Sequence, residues 1–480
     1  MIIVFVHGWS VTDTSTYGRL PEALAAQAED YNLEINIKHI CLGRYISFHD
    51  KVSVSDVARA FESALHNEIA DSSGRIKEFS CITHSTGGPV VREWLNRYYG
   101  AAKLSQAPLC HLVMLAPANH GSPLAAIGKK RVGRLKAWFS GVEPGQRILE
   151  WLSLGSQQQL DLAKSHLHYK PAEAHFFPYV LTGQSIDKQM YDFINSYLVE
   201  AGSDGVVRVP CANLNYSMVT LIETKNIETV THGADKIEVH MLAVNGKIRR
   251  PPLAPLGVIA RASHSGSKKG IMASVLSPKA TNKPQVSEIL KCLSVKTKDD
   301  YATRIKELEQ ISHETQKNKH RYSMLVFVIK DNQGDPVMDY EIFLLGGEKH
   351  NPDKLSKGFF IDKQQNVANP NHIVYYVDYD VITQNKLTGF RVIAHPQKGF
   401  SFYHCVEYHS LGDDIHSQIK ANETFYVEIQ LNRCVDKGVF TFDNANDPKL
   451  RQKGLIIKSY TRQSFKEADS TLKCITATQL

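Results

Sequence analysis

The chain reads as two structural parts: a mostly parallel sheet wrapped by helices over residues 1–290, and an antiparallel β domain, expected to be a sandwich, over residues 322–445. Three observations carry this reading. In the first part short apolar runs alternate with amphipathic helical patterns, as successive strand–helix units do. In the second, β-rich runs follow one another across turn sequences with few helical patterns between them. And 480 residues exceed what a single hydrophobic core ordinarily serves.

The elements can be read off in order. Met1–Val6 is a continuous apolar run, and Leu33–Ile40 alternates apolar with polar; both predict strands. Val54, Val57, Phe61, Leu65 and Ile69 recur at helical spacing. A short strand is expected over Glu78–Thr83, a helix over Gly88–Tyr99, and further strands over His111–Ala116 and Phe176–Thr182. Between the last two, the segment 124–169 carries Trp138, Phe139, Trp151 and Leu152 among polar residues. It can form a cap over a site, or ordinary covering helices. Residues 291–321 are densely charged and read as a helical linker with a solvated face. Beyond it Tyr322–Ile329, Tyr340–Leu345, His372–Val377, Gly389–Ala394 and Thr424–Leu431 are the expected strands of the β domain, and 446–480 a tail.

Composition excludes several classes. Hydrophobic residues are 42% and charged residues 22%, the balance of a soluble protein, and no run of eighteen apolar residues suggests a membrane span. The first six residues are too few for a secretory leader core, so synthesis in the cytoplasm without a cleaved signal peptide is expected. Eight dispersed cysteines form no CxxC pair, which argues against a zinc or thioredoxin-like site, and no metal or cofactor is expected. The net charge of +7 is modest; it can favour an anionic lipid surface, while the lack of a dense basic stripe interleaved with aromatics argues against nucleic acid.

The sharpest local feature is Thr83-His84-Ser85-Thr86-Gly87-Gly88, where a strand runs through small residues into a helix. A serine at the tip of such a turn sits in strained backbone, so residues two before and two after it must be small. Gly87 meets this fully; Thr83 stands where glycine is usual. The helix start aims N–H groups at a developing oxyanion. A second donor can come from Val6-His7-Gly8-Trp9-Ser10 after the first strand, where Gly8 permits a bend that turns the Trp9 amide inward. Trp9 and Thr86 are thus the expected oxyanion donors. His7 braces that loop or, with His84, Asn119 and His120, lines the substrate site; a plain polar loop is the other reading of Asn119, His120 and Ser122.

VHGWS, ITHSTGG, LAPANHGSPLA (Leu115–Ala125) and GSDGVVRVPCANLNY (Gly202–Tyr216), in this order, resemble bacterial α/β-hydrolase lipases, the broad group that includes lecithin–cholesterol acyltransferase-like and GPI inositol-deacylase-like enzymes. The resemblance covers roughly residues 1–280 and implies an α/β-hydrolase fold with a cap insertion. It implies Ser85 as nucleophile and Asp204 as the acid that orients a histidine, with Asp187 and Asp192 as alternatives. For the base it favours His264, in Ala262-Ser263-His264-Ser265-Gly266; His232 and His240 are rivals. Four residues separate this run from the apolar Ile271, a departure from the group's pattern.

The resemblance further implies a serine-dependent ester hydrolase acting on a lipid, with phospholipid favoured because added β domains bring such enzymes to surfaces. A thioesterase or acyltransferase on the same scaffold, or a binding protein that has kept the fold, are the competing expectations. The architecture also fits a type VI secretion lipase effector, with a secretion or immunity protein as partner.

Overall fold

The apolar runs become strands wherever both faces of a run find cover. The computed structural model describes residues 1–7, 17–47, 49–127, 145–186, 200–232, 235–279, 283–355, 357–384, 387–395, 401–410 and 415–435. In the first half the strands are β1 (Ile2–His7), β2 (Asn36–Cys41), β3 (Phe79–His84), β4 (Leu109–Leu115), β5 (Phe177–Gly183), β6 (Tyr216–His232), β7 (Asp235–Val244) and β8 (Leu256–Ile259). The second half adds β9 (Tyr322–Asp331), β10 (Tyr340–Gly346), β11 (Phe360–Gln365), β12 (His372–Asp378), β13 (Leu387–Ala394), β14 (Ser401–Phe402), β15 (Val406–His409), β16 (Thr424–Leu431) and β17 (Cys434–Val435).

Six strands make a wholly parallel sheet in the order β2-β1-β3-β4-β5-β8, the expected α/β-hydrolase sheet. Helices α1 (Leu20–Gln27), α2 (Val54–Ile69) and α3 (Gly87–Tyr98) accompany its first strands. Helix α2 begins in a reciprocal cap between Ser53 and Asp56 and buries the stripe read from the sequence, Val54, Val57, Phe61, Leu65 and Ile69. The chain reverses its direction of travel between β1 and β3. In open parallel sheets, ligands bind beyond the carboxyl ends of the strands at such a reversal. The end of β1 at His7 and Ser85 after β3 flank that point.

Two boundaries differ from expectation. Residues 291–321 are not a linker: the helix Lys298–Gln316 packs on β8 and buries Tyr301 and Leu308 in the hydrolase core. Its apolar stripe is Tyr301, Ile305, Leu308 and Ile311, about one residue per turn, so the charges on the remaining face dominate the sequence. Residues 216–244, expected within the first part, belong to the second sheet.

That second sheet also departs from a purely antiparallel sandwich. It is one mixed sheet of nine strands, β10-β13-β15-β7-β6-β16-β9-β12-β11, in which β15–β7, β16–β6 and β16–β9 run parallel. Strands β6 and β7 enter its middle from the hydrolase half, and this insertion accounts for two of the parallel pairings, β15–β7 and β16–β6. The sheet curls until its ends face each other. Phe327 of β9 packs on Phe390 of β13 at 5.0 Å between ring centroids, and the Tyr375 hydroxyl of β12 donates to the Ile342 carbonyl of β10 at 2.9 Å. Its core is therefore sandwich-like although its hydrogen bonding is continuous. The short pair β14–β17 stands apart.

Strand β9 reads as an unbroken apolar run because both its faces are covered. Leu325, Phe327 and Ile329 enter the β core, while Met324, Val326 and Val328 join the hydrolase core beside Tyr216, Met218 and Tyr426. The two parts share a hydrophobic interior. Of segment 124–169, residues 128–144 lie outside the described residues, with Trp138 and Phe139 among them. Its described portion is covering helices, and Trp151 and Leu152 are buried. The tail 446–480 also lies outside. Among the described residues no helix is long and apolar enough to cross a membrane, and no disulfide forms.

Candidate active site

Strand β3 is buried along its length and ends at His84; α3 begins at Gly87. The turn between them holds Ser85 at φ +53°, a left-handed conformation that a side chain adopts at a cost of about 1 kcal/mol or more. The Ser85 amide donates to the Leu115 carbonyl at 3.0 Å, which ties the turn to the end of β4. A Cβ on Gly87 would lie 3.2 Å from the Thr83 Cβ and 3.3 Å from the Val6 carbonyl oxygen. The absence of a side chain two residues after the serine is what leaves room for threonine two residues before it. Thr86, at the head of α3, carries one of the helix's N–H groups that has no intrahelical acceptor.

Asp204 and His264 come from loops beyond the far strands. The loop after residue 200 turns at Gly202 (φ +76°) and Gly205 (φ +100°), and Asp204 is fully buried within it. One carboxylate oxygen, Oδ1, accepts the amides of Val206 at 3.0 Å and Val207 at 2.8 Å. The other, Oδ2, lies 3.0 Å from His264 Nδ1. The His264 amide donates to the Asp204 carbonyl at 2.9 Å, so the two loops are also joined through their backbones. His264 Nε2 then faces Ser85 Oγ at 3.1 Å. All three residues are buried, with Ser85 retaining 7% exposure.

A carboxylate that accepts from Nδ1–H fixes the tautomer in which Nε2 is the acceptor, and Nε2 meets the hydroxyl. This arrangement can remove a proton from Ser85 as its oxygen attacks a carbonyl. Of the rival candidates, His240 does not enter it, and the His232 side chain lies outside the described residues. His240 pairs with Glu223 at 2.9 Å in the second sheet, and the His232 backbone ends β6. Asp187 and Asp192 lie outside the described residues, as do Gly8 and Trp9; His7 ends β1, and its side chain is outside them too.

The expected substrate-lining residues take other places. His84 Nε2 donates to the His264 carbonyl at 3.1 Å and its ring lies 4.7 Å from the His264 ring. Burial, and then the nearby His264, hold its imidazole well below the usual histidine pKa. It is a neutral brace behind His264. Asn119, 1% exposed, accepts from Arg92 at 3.0 Å and donates to the Ala212 carbonyl at 2.8 Å. His120, also 1% exposed, sits with Nδ1 2.8 Å from the Tyr426 hydroxyl of β16. Both were expected to line the pocket; instead Asn119 ties α3 to the Ala212 segment within the hydrolase part and His120 fastens that part to β16, because the shared interior encloses the loop after β4. Ser122 likewise donates to the Val206 carbonyl of the acid loop at 2.6 Å.

Arg208 lies inside the Gly202–Tyr216 run but was given no role from the sequence. It donates to Glu200 at 2.7 and 2.6 Å and to Asp362 of β11, and lies 4.2 Å from the Tyr376 ring centroid of β12. The Tyr376 hydroxyl donates to the Ala201 carbonyl at 2.9 Å, and a Cβ on Gly202 would collide with both Tyr322 and Tyr376. The second sheet thus holds the loop that carries Asp204. Among the described residues, Glu223, His240 and His404 have metal-ligand proximity, with candidate atoms within 4.8 Å of one another. There the His240 and His404 rings stack in parallel at 3.9 Å, and Glu223 also accepts the Asn432 amide at 2.7 Å. This cluster belongs to the second sheet and takes no part in the Ser85 arrangement.

No family model and no curated protein sequence matches the chain. Solved structures do. Phospholipase PlaB from Legionella pneumophila matches at TM-score 0.83 with 42% identity, covering 93% of this chain and 97% of that one. The same phospholipase in complex with thio-NAD matches at TM-score 0.83 with 41% identity over the same shares.

Proposed function

The chain belongs to the family of the Legionella phospholipase PlaB and is a lipid ester hydrolase; from that premise we propose that it cleaves phospholipid acyl esters through an acyl-enzyme on Ser85. The single observation that carries the role of Ser85 is the continuous link from its hydroxyl to His264 Nε2 at 3.1 Å and from His264 Nδ1 to Asp204 at 3.0 Å.

In this reading Ser85 Oγ attacks the ester carbonyl carbon while His264 Nε2 takes its proton. The carbonyl oxygen becomes an oxyanion, held by the Thr86 amide at the head of α3 and by a second amide from the loop after β1, for which Trp9 is the candidate. Collapse breaks the bond to the alcohol oxygen, and His264 returns the proton to that leaving group. Water then enters, His264 takes its proton, and a second collapse releases the fatty acid and restores Ser85. Asp204 stays ionised throughout and stabilises the imidazolium. Buried and already holding two amides, it has no freedom to turn away.

Mass-spectrometric mapping of a fluorophosphonate adduct tests the nucleophile: a single adduct is expected on Ser85, and none in Ser85→Ala. An adduct on another residue would refute the assignment. Phospholipid vesicles, triglyceride emulsion, a thioester and an amide assayed side by side test the substrate class. Fastest turnover of phospholipid is expected; fastest turnover of the thioester would favour the thioesterase alternative.

A further inference from the structure

A cavity of about 240 Å³ opens on the hydrolase part, and neither Ser85 nor His264 contributes to its wall. It is many times larger than the about 10–15 Å³ that one water requires. Its wall is almost entirely apolar: Leu95, Met114, Phe176, Pro178, Leu214 and Ile305 are among its lining residues. Its rim is formed by Leu253, 54% exposed, with Ala302 and Lys298 on the helix Lys298–Gln316.

Of the polar side chains in this wall, the Tyr216 and Tyr301 hydroxyls donate to the Ala163 and Pro178 carbonyls, whereas Arg92 and His166 each keep a buried donor without a partner among the described residues. Arg92 of α3 is 2% exposed, yet its hydrogen bonds go to Asn119 and to His166, and none goes to a carboxylate among the described residues. Its Nε–H has no partner there. Arg92 Nη2 donates to His166 Nδ1 at 3.2 Å, so the neutral imidazole carries its proton on Nε2, which is buried and has no partner either. Burial, and then Arg92 itself, keep His166 well below the usual histidine pKa, consistent with that neutral tautomer. One fixed positive charge and two unused donors therefore stand in an apolar cavity. Burying a cation with no counter-ion is unfavourable, and an anion bound beside it removes much of that cost.

We propose that this cavity binds a fatty acid, its carboxylate taken by Arg92 Nε–H and His166 Nε2–H and its tail running along the apolar wall toward Leu253. A monoanion matches the single guanidinium; a dianionic phosphate would leave a net charge buried. The site is separate from the proposed nucleophile, so it stands or falls independently of catalysis at Ser85.

The test uses the full chain carrying Ser85→Ala, titrated calorimetrically with dodecanoate, 1-dodecanol and dodecyl phosphate below their aggregation limits. Dodecanoate is expected to bind with one-to-one stoichiometry, and the alcohol and the phosphate each about ten-fold or more weaker, the scale of a lost charge-assisted hydrogen bond. Arg92→Met is expected to weaken dodecanoate by a similar factor. Because Arg92 also supports Asn119 and its loss can impair folding, Ala302→Trp serves as the second variant. It narrows the mouth from an exposed helix position and is expected to weaken binding without shifting the thermal midpoint. A photoreactive fatty acid should label residues 251–254 or 298–305. Absence of binding, equal affinity for acid and alcohol, unchanged affinity in Ala302→Trp, or labelling confined to other segments would each overturn the proposal. Tighter binding of dodecyl phosphate would instead assign the site to a phosphate-headed lipid and overturn the carboxylate.

Discussion

The two oxygens of Asp204 divide their work: Oδ1 is committed to the amides of Val206 and Val207, and Oδ2 to His264. In Asp204→Asn an amide can keep these contacts only by presenting NH₂ to one of them. Facing His264 it would favour the tautomer that has a proton on Nε2, which can no longer accept from Ser85. We expect kcat to fall by roughly 10⁴-fold, the size of effect seen for that substitution in other serine triads, with the circular-dichroism spectrum unchanged. Thr83 makes a second residue-scale case. Its side chain is fully buried and its hydroxyl has no hydrogen-bond partner among the described residues. A hydroxyl left so costs about 1–3 kcal/mol relative to an apolar group of the same shape. Thr83→Val keeps that shape and should raise the thermal midpoint while leaving kcat/KM within about two-fold; a lowered midpoint would show that the hydroxyl is satisfied.

At the scale of elements, the acid loop depends on strands that follow it by more than a hundred residues. Arg208 is 1% exposed on its side chain and joins Glu200 to Asp362, while Tyr376 reaches back to Ala201. Removing one partner of a buried ionic contact costs about 3–5 kcal/mol, mainly through the charges left unpaired. Glu200 and Asp362 keep 16% and 30% of their side-chain surface exposed, which places Arg208→Met toward the lower end of that range. Chemical denaturation should read a loss of about 3 kcal/mol. The same variant should lower kcat more than it raises KM, because the displaced part is the loop of Asp204 and not the substrate wall. An unchanged kcat in a destabilised protein would separate the β domain from the chemistry. Helix Lys298–Gln316 teaches a related point, since charges on its exposed face disguise an element whose Tyr301 and Leu308 complete the hydrolase core.

Across the whole molecule the interior shared by the two sheets encloses histidines that fold in the neutral form. His120 is the clearest: burial, with Arg92 adding to it, pushes its pKa down to about 3 from an ordinary value near 6.5. Between those two values the unfolded chain binds a proton that the folded chain does not, so stability falls as the pH drops below about 6.5. At pH 5 that single group should cost about 2 kcal/mol relative to pH 7. His84 and His166, shifted in the same direction, add to the slope. Denaturant midpoints measured from pH 7.5 to 5 should therefore fall, and His120→Gln, though less stable at pH 7.5, should fall less steeply. Parallel slopes for the two proteins would show that His120 protonates alike in folded and unfolded chains.

What the sequence determined by itself was local. Five of the six strands of the first sheet, β1–β5, and the helices α2 and α3 follow from apolar periodicity, whereas β8 and α1 were not read; the Thr83–Gly87 turn follows from a steric demand that five consecutive residues express. Ser85, Asp204 and His264 were all legible, the last two only through family resemblance, because Ser-Asp-Gly and His-Ser-Gly are also ordinary turns. Tertiary structure decided the rest. It placed His264 at Ser85 and His240 beside Glu223, turned Asn119 and His120 into fasteners, and carried residues 216–244 into the second sheet. It also gathered Arg208, Tyr376 and Gly202 at the acid loop, and left Arg92, among the described residues, without a carboxylate partner in an apolar cavity. The reason is one of range. Backbone sterics and helical or strand periodicity act within a few residues and so are written in short segments. Which buried donor meets which acceptor depends on segments up to 306 residues apart, as for His120 and Tyr426, and only packing brings those together.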